Sequence, residues 1–179
     1  MLRSYKTEGI VLKRNNVGEA DKIITLFTKH YGKLRLMAKG IRKTKSRKAG
    51  SLEPFNEVQL QIARGRNLDL IIETQIINSP QSWRENLIKV TVAYYFCELV
   101  DKLTADSQIH PNVFELLKTS LGQIELTNLS KLVRDFEEQL LDELGFGIPE
   151  DIRKQAGSLK SYIEEITERQ INSPKIVKN

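Results

Sequence analysis

The 179-residue sequence predicts an α+β protein in which a small β-barrel precedes an all-helical half. Apolar residues alternate with a period of two over the first 77 residues and recur at helical spacing afterwards. The charge divides near the same place: residues 1–80 hold 16 Lys/Arg against 7 Asp/Glu, a net charge of +9, whereas residues 81–179 hold 12 against 16, a net charge of −4. We therefore expect two domains, residues 1–79 and residues 80–179.

Five stretches of the first half predict strands: residues 7–14, 21–28, 33–39, 55–63 and 68–77. Residues 21–28 are apolar on both faces and should be well buried, whereas the other stretches alternate. The residues expected to face the core in the last two stretches are Val58, Leu60, Ile62, Leu68, Leu70 and Ile72. Glu57, Gln59 and Gln61 should face out, and residues 64–67 should form a hairpin tip. Five strands with a long basic segment between the third and fourth fit the OB-fold, whose surface commonly binds nucleic acid. The periodicity alone fits an SH3-type barrel equally well.

The pattern of apolar residues in the second half predicts four helices. Ser82 and Glu85 have the spacing of a capping box, which would begin a first helix running to about residue 103. Its predicted stripe contains Trp83, Leu87, Val90, Tyr94 and Cys97. Pro111 suits the first turn of a second helix. A third should span about residues 129–144 and end at Gly145, and a short fourth about residues 158–168, with a frayed tail after Ile171.

The basic segment is the strongest functional signal. Ten basic residues and no acidic residue lie between Lys22 and Leu52. In the third strand Leu34, Leu36 and Ala38 fall on one face, while Lys33, Arg35 and Lys39 fall on the other. The loop of residues 40–48 adds five more positive charges. Because no carboxylate is close by in the sequence, we expect this surface to bind a polyanion rather than serve only for solubility.

Motifs for chemistry are missing from the sequence. It has no glycine-rich phosphate loop and no nucleophile elbow, and its one cysteine and two histidines cannot make a four-ligand zinc site. Cys97 lies in an apolar stripe and should be buried. The carboxylate pairs Glu137/Glu138 and Glu164/Glu165 should be solvated. We therefore predict a binding protein with no catalytic residues, no metal and no cofactor.

Two further features bear on binding and location. The barrel half has few aromatic residues, namely Tyr5, Phe27, Tyr31 and Phe55, so binding should rest mainly on charge and weaken with salt. The single cysteine fits a reducing compartment, and no run approaches the ~18 apolar residues of a membrane helix. We expect a cytoplasmic protein that does not enter membranes.

The order of the N-terminal motifs resembles that of the bacterial RecO family of DNA repair and recombination mediators. The similarity is dense over residues 7–77 and looser in the helical half, where residues 140–149 are most similar. The motifs are Thr7-Glu-Gly-Ile-Val-Leu-Lys13, Gly18-Glu-Ala-Asp21, Ile23-Ile-Thr-Leu-Phe-Thr28, Tyr31-Gly-Lys33, Ala38-Lys-Gly40, Arg42, Ser46-Arg47 and Gly50-Ser-Leu-Glu-Pro-Phe55.

The resemblance implies an OB-fold domain and a helical domain that bind single- and double-stranded DNA, anneal complementary strands, and help RecA to load with RecR and the single-strand DNA-binding protein. It also implies a nucleoid-associated location. The DNA-contacting candidates that it implies are Lys33, Arg35, Lys39, Arg42, Lys43, Lys45 and Arg47, with Arg14, Arg64 and Arg66 as weaker ones.

The family's helical domain receives the C-terminal tail of the single-strand DNA-binding protein. The candidate residues for a basic rim around that tail are Arg84, Lys89, Lys131 and Arg134. Many members carry a four-cysteine zinc site in this half; the sequence has none, so we expect a short, zinc-free form.

Other functions stay open on the sequence alone. Charge and a barrel fit an RNA- or ribosome-associated protein equally well, because neither feature separates DNA from RNA. A metal-dependent nuclease and a scaffold that docks an acidic protein are further hypotheses. The helical half is either a partner-binding domain or a structural support for the barrel.

Overall fold

A computed structural model describes residues 4–43, 46 and 48–173. The chain divides into two compact units. One comprises the described residues up to Ser79 together with Ala105–Pro111, and the other comprises Pro80–Thr104 and the described residues from Asn112 onward. No helix among the described residues has both the length and the apolar character that crossing a membrane requires.

The described part of the first unit contains five strands that close into a barrel. The strands are β1 (Ser4–Val17), β2 (Asp21–Thr28), β3 (Gly32–Ala38), β4 (Glu57–Ala63) and β5 (Leu70–Asn78). Around the barrel they follow the order β1-β2-β3-β5-β4. Neighbours are antiparallel except β3 and β5, which are parallel and pair, among described residues, at Met37 and Leu70. This is the predicted OB-fold.

The barrel core confirms most of the predicted inward faces. Leu36, Ala38 and the three predicted residues of β4 are at most 1% exposed. The segment between β3 and β4 adds Ile41 and Leu52, so this basic segment also closes one part of the core. The core cluster is Val11, Ile24, Leu26, Leu36, Ala38, Ile41, Leu52, Val58, Leu60, Ile62 and Ile71.

Two bulges overturn predictions for β4 and β5. Ile62 pairs with Ile71 while Gln61 pairs with Glu73, so Ile72 is an extra residue in β5. A bulge reverses the alternation beyond it. The prediction that Ile72 faces the core is therefore wrong: it is 39% exposed, whereas Ile71 is 3% exposed. A second register shift follows Glu57, which is buried instead of facing out.

The described residues of the helical half form α1 (Leu87–Leu103), α2 (Pro111–Gln123), α3 (Leu129–Glu143), α4 (Glu150–Arg153) and α5 (Lys160–Thr167). The predicted second and third helices are confirmed, and Gly145 follows α3 with a left-handed φ of 77°. The four-residue α4 is too short to leave a periodic pattern. In the core of this unit the rings of Phe96 and Phe136 stack with centroids 4.1 Å apart.

The predicted start of α1 is wrong. Residues 82–85 form turns, and the helix begins after Asn86, whose side chain accepts a hydrogen bond from the Lys89 backbone N–H at 3.1 Å. A side-chain cap directly before the helix therefore replaces the capping box. The predicted stripe is wrong at Leu87, which is 80% exposed, and at Tyr94, which is 46% exposed, whereas Trp83 and Cys97 are buried. The buried face of the helix contains Val92, Ala93, Tyr95, Phe96, Cys97, Leu99 and Val100.

The C-terminal segment is held more firmly than expected. Ile171 is buried, and the backbone N–H groups of Asn172 and Ser173 donate to the Glu98 carboxylate at 2.7 and 2.8 Å. The prediction of fraying directly after Ile171 is therefore wrong for these two residues. Residues 174–179 lie outside the described part of the chain.

Candidate nucleic-acid interface

Three predicted cations, Lys39, Arg42 and Lys43, lie exposed where β3 ends. Hydrogen bonds from backbone N–H groups fix their segment against the turn between β1 and β2 and the start of β2. The Arg42 N–H donates to the Ala20 carbonyl at 3.0 Å, and the Gly40 N–H donates to the Asp21 side-chain carboxylate at 2.7 Å. No ion pair joins these three cations to a described carboxylate. Their charges are therefore presented to solvent from a fixed backbone, which suits contact with a polyanion.

Lys33 and Arg35, on β3, share one carboxylate. The Lys33 ammonium is 3.4 Å, and the Arg35 guanidinium 3.3 Å, from the oxygens of Asp106. Asp106 belongs to the segment Ala105–Pro111 of the same unit. The expectation of an unpaired cationic face is therefore wrong at β3, because a carboxylate distant in sequence is close in space. The Lys33 side chain is buried at 6% exposure, whereas that of Arg35 is 55% exposed.

A groove of about 540 Å³ runs beside these cations and adds aromatic side chains. The rings of Tyr5 and Tyr31 have centroids 4.8 Å apart, and the Arg64 guanidinium lies 4.7 Å from the Tyr5 centroid. Tyr5 donates a 2.8 Å hydrogen bond to Asp69. Burial, followed by this hydrogen bond, raises the pKa of Tyr5, so its hydroxyl stays protonated. The groove therefore combines rings, on which bases can stack, with cations that can contact phosphate.

The remaining DNA candidates differ in their surroundings. Arg14 forms a 2.7 Å ion pair with Glu53, and Arg64 a 3.4 Å ion pair with Asp69. Arg66 is exposed in the turn between β4 and β5. Lys45 and Arg47 lie outside the described residues. Sequence reasoning left out Lys48, whose ammonium donates to the Ile71 carbonyl at 2.8 Å and so ties the basic segment to β5.

The four rim candidates of the helical unit are mostly engaged within the unit itself. Lys89 pairs with Glu125 at 2.9 Å, and Lys131 pairs with Asp135 at 2.6 Å. Arg134 binds Glu138 and three backbone carbonyls near α4. Arg84 is half-buried in the turns before α1. Arg134 therefore has a clear structural role in this unit.

Glu137 is buried, although the sequence predicts it on a solvated helix face. That prediction is wrong, since the residue is 0% exposed. It accepts hydrogen bonds from the Tyr95 hydroxyl, the Ser158 hydroxyl and the Leu159 backbone N–H. Burial raises the pKa of its carboxyl above the ordinary range, although these donors act in the opposite direction. Its position between two apolar residues of α3, Phe136 and Leu140, is a weak signal that could have been noticed.

The described residues contain few groups suited to catalysis. Cys97 is buried as predicted, and burial raises the pKa of its thiol, which disfavours the reactive thiolate. In the part of the chain that the structure describes, no three His, Cys, Asp or Glu residues are grouped so that they could hold a metal ion.

Comparison with known proteins gives consistent matches over both halves. A family model described as Recombination protein O N terminal matches residues 1–80, and one described as Recombination protein O C terminal matches residues 84–151. The DNA repair protein RecO of Thermoanaerobacter sp. (strain X514) is 36% identical over 147 residues, which are 81% of this chain and 59% of that protein.

Two further relatives agree. The DNA repair protein RecO of Symbiobacterium thermophilum is 37% identical over 145 residues, covering 79% of this chain and 57% of the relative. The DNA repair protein RecO of Desulforamulus reducens is 36% identical over 140 residues, covering 78% of this chain and 55% of the relative. The chain thus spans between 55% and 59% of the length of these three curated relatives.

Proposed function

The chain belongs to the RecO family of DNA repair proteins, and from this premise we propose that its barrel unit binds DNA through exposed cations, as part of a mediator of DNA repair and recombination. The observation that carries the proposal is the exposed group Lys39, Arg42 and Lys43, fixed on the barrel by backbone hydrogen bonds. The net charge of +9 over residues 1–80 would attract any polyanion to this unit.

The proposed contacts are of two kinds. Lys39, Arg42, Lys43 and Arg66 are exposed and make no ion pair with a described carboxylate, so they can reach phosphates without displacing one. The buried Lys33 and the ion-paired Arg35, Arg14 and Arg64 would have to exchange a carboxylate for a phosphate. Lys45 and Arg47 complete the proposed set.

The test is fluorescence anisotropy of a labelled single-stranded DNA oligonucleotide, repeated over a series of salt concentrations. We expect the logarithm of the affinity to fall against the logarithm of the salt concentration with a slope of about −3 to −6, which corresponds to about 4–8 neutralised phosphates at ~0.7 each. Changing Lys39, Arg42 and Lys43 together to Ala should weaken binding and flatten the slope by about 2, since each lost phosphate contact removes ~0.7.

A matched control changes three exposed lysines of the helical unit, Lys118, Lys131 and Lys154, to Ala. This triple variant loses the same total charge but leaves the barrel intact, so its DNA affinity should stay near that of the unchanged protein. Equal losses in both triple variants would mean that only net charge matters. Weak binding with a flat slope in the unchanged protein would contradict the proposed function.

The finer activities of the proposal are annealing of complementary strands and assistance to RecA loading, together with RecR and the single-strand DNA-binding protein. Annealing of two complementary oligonucleotides should be faster with the protein than without it. It should slow when Arg35, Lys39 and Arg42 are changed together to Ala. Survival of annealing in that variant at moderate salt would show that the cations are assigned wrongly.

Partner binding is tested separately on the helical unit. A labelled peptide with the C-terminal tail sequence of the single-strand DNA-binding protein should bind the chain, and Arg84→Ala or Lys89→Ala should weaken it. Lys131→Ala tests the third rim candidate, whereas Arg134 needs a folding control because of its backbone contacts. No binding of the peptide would remove this partner from the proposal.

The class of nucleic acid and the absence of catalysis are tested in the same samples. Unlabelled RNA of matched sequence should displace the labelled DNA no better than unlabelled DNA does. A clear preference for RNA would favour an RNA-associated function. DNA incubated with the protein and Mg²⁺ or Mn²⁺ should stay intact. We also propose that DNA binding places the protein at the nucleoid in the cytoplasm, which imaging of a fluorescent fusion would test.

A further inference from the structure

Asp106 occupies the groove where Lys33 and Arg35 lie. Its carboxylate is 51% exposed and stands between a buried ammonium and an exposed guanidinium. The two N···O distances, 3.4 and 3.3 Å, exceed the ~2.7–2.9 Å of tight charge-assisted hydrogen bonds. This single carboxylate thus offsets only part of the charge of the two cations, and it binds neither of them tightly.

Backbone contacts, rather than these ion pairs, hold Asp106 in place. The Ser107 N–H donates to the Lys33 carbonyl at 2.9 Å, and Asp106 forms a parallel bridge with Lys33. Gly32 lies so close to Gln108 that a Cβ there would be 2.0 Å from the Gln108 carbonyl oxygen. Ser107 itself has a left-handed φ of 60°, which a serine keeps only where its surroundings impose it. The segment would therefore keep its position if the Asp106 charge were removed.

A phosphodiester group carries the same single negative charge as this carboxylate, and its oxygens accept the same hydrogen bonds. Tyr5 and Tyr31 line the same groove, so a base stacked there would bring its own phosphate close to Lys33 and Arg35. Resting on the proposed function, we infer that Asp106 is a built-in competitor for one phosphate of single-stranded DNA in this groove. The carboxylate lowers the affinity of the groove for DNA. Lys33 and Arg35 contact a phosphate only when the strand displaces the carboxylate.

The test is Asp106→Asn, which keeps the size of the side chain and leaves the backbone contacts of the segment in place. At low salt the anisotropy titration should show single-stranded DNA binding about fivefold more tightly, the effect of one unit charge at about 4 Å in water. The salt slope should steepen by about 0.7 for each additional phosphate contacted. A thermal melt indistinguishable from that of the unchanged protein would show that the fold is retained.

Two variants make the result specific. Asp135→Asn removes the same charge from an ion-paired aspartate on α3, and it should leave the affinity unchanged. The double variant Arg35→Ala, Asp106→Asn should lose most of the gain in DNA affinity, because it lacks the exposed guanidinium that Asp106→Asn frees.

The outcomes separate the inference from the function on which it rests. Salt-dependent DNA binding in the unchanged protein with no gain, or a loss, in Asp106→Asn would overturn the inference and leave the proposed function standing. An equal gain in Asp135→Asn, or a gain that persists without Arg35, would also overturn it, since the effect would then be one of overall charge. If the unchanged protein does not bind DNA, the proposed function and the inference fail together.

Discussion

The hydroxyl of Tyr95 donates a 2.5 Å hydrogen bond to the carboxylate of Glu137 in the interior of the helical unit. The other carboxylate oxygen accepts from the Leu159 backbone N–H at 2.7 Å, next to the start of α5. One fully buried side chain therefore links α1, α3 and the entry to α5. A buried carboxylate is tolerated only when its oxygens are satisfied in this way.

Glu137→Ala should strongly destabilise the helical unit, and Glu137→Gln should not. Alanine leaves the Tyr95 hydroxyl and the Leu159 N–H without their acceptor, at a cost of about 1–3 kcal/mol each. Glutamine can accept from Leu159 and donate to the two hydroxyls, and it also removes a charge that burial disfavours. We expect a loss of about 3 kcal/mol or more for Ala and a change within about 1 kcal/mol for Gln, measured as free energies of unfolding in urea.

The pH dependence of the unfolding free energy, measured for the unchanged protein and for Glu137→Gln, tests whether burial raises the pKa of Glu137. Because burial raises its folded-state pKa, its contribution to stability is fully present below the unfolded pKa of about 4.3 and is lost as the pH rises through the folded pKa. Glu137→Gln should therefore gain stability relative to the unchanged protein between pH 4 and neutrality. A difference that stays flat with pH would contradict a raised pKa.

Glu98 should make the protein sensitive to acid. Burial alone would raise the pKa of its carboxyl, but hydrogen bonds from Lys102, Ser173 and the Asn172 N–H lower it from 4.5 to about 2. The stability that this depressed pKa contributes is present above the unfolded pKa and is lost as the pH falls through the folded pKa. Between about pH 4.5 and pH 2 the loss should reach roughly 2–3 kcal/mol.

The measurement is the difference in unfolding free energy between the unchanged protein and Glu98→Gln over that pH range. Subtracting the variant removes the contributions of the other carboxyl groups. The difference should shrink on acidification. A difference that grows would mean that burial, and not the hydrogen bonds from Lys102 and the C-terminal segment, controls this carboxyl.

Much of the barrel could be predicted from the sequence because apolar residues alternate with a period of two along most of its strands. Val58, Leu60 and Ile62 face the core as their alternation indicates. Ile72 does not, because a bulge adds a residue to the strand and alternation alone does not reveal a bulge. The start of α1 is not predictable from the capping-box spacing alone. Asn86 is also a good N-cap residue, and it is the one that caps the helix.

The candidate site was less predictable, because its charge balance depends on distant residues. The basic segment is visible in the sequence, but its apparent lack of carboxylates holds only along the chain. Asp106 reaches Lys33 from 73 positions away. The burial of Glu137 depends similarly on Tyr95 and Ser158, 42 and 21 residues distant. Contacts of this range follow from the fold and leave no periodic signal.

Gly32→Ala should destabilise the barrel unit much more than Gly18→Ala. Both glycines have a left-handed φ, of 66° and 56°, so alanine meets the same backbone strain of about 1–2 kcal/mol at each position. At Gly18 a Cβ would meet nothing within 4 Å, whereas at Gly32 it would meet the Gln108 backbone. Thermal and urea melts should show at least about 2 kcal/mol more loss for Gly32→Ala. Equal losses would mean that the segment of Gln108 moves aside freely.

Arg134→Lys should destabilise the helical unit although it keeps the positive charge. The guanidinium donates to the carbonyls of Ile152, Arg153 and Gly157 at 3.3, 2.9 and 3.0 Å, and its Nε donates to Glu138. A lysine ammonium is a single point donor and cannot reproduce this planar set of contacts. We expect a loss of about 2 kcal/mol in urea unfolding, since two or three hydrogen bonds are removed.

The matched control for Arg134 is Lys131→Ala, one turn earlier on α3. The Lys131 side chain is 71% exposed and pairs with Asp135 on the same helix, so its removal should change stability by no more than about 0.5 kcal/mol. If Arg134→Lys were equally mild, its carbonyl contacts would not stabilise the unit, and Arg134 would again be available as part of a rim for an acidic peptide. If it destabilises as expected, weaker peptide binding in an Arg134 variant reports damage to the fold around α4, and only Arg84, Lys89 and Lys131 remain as tests of a partner surface.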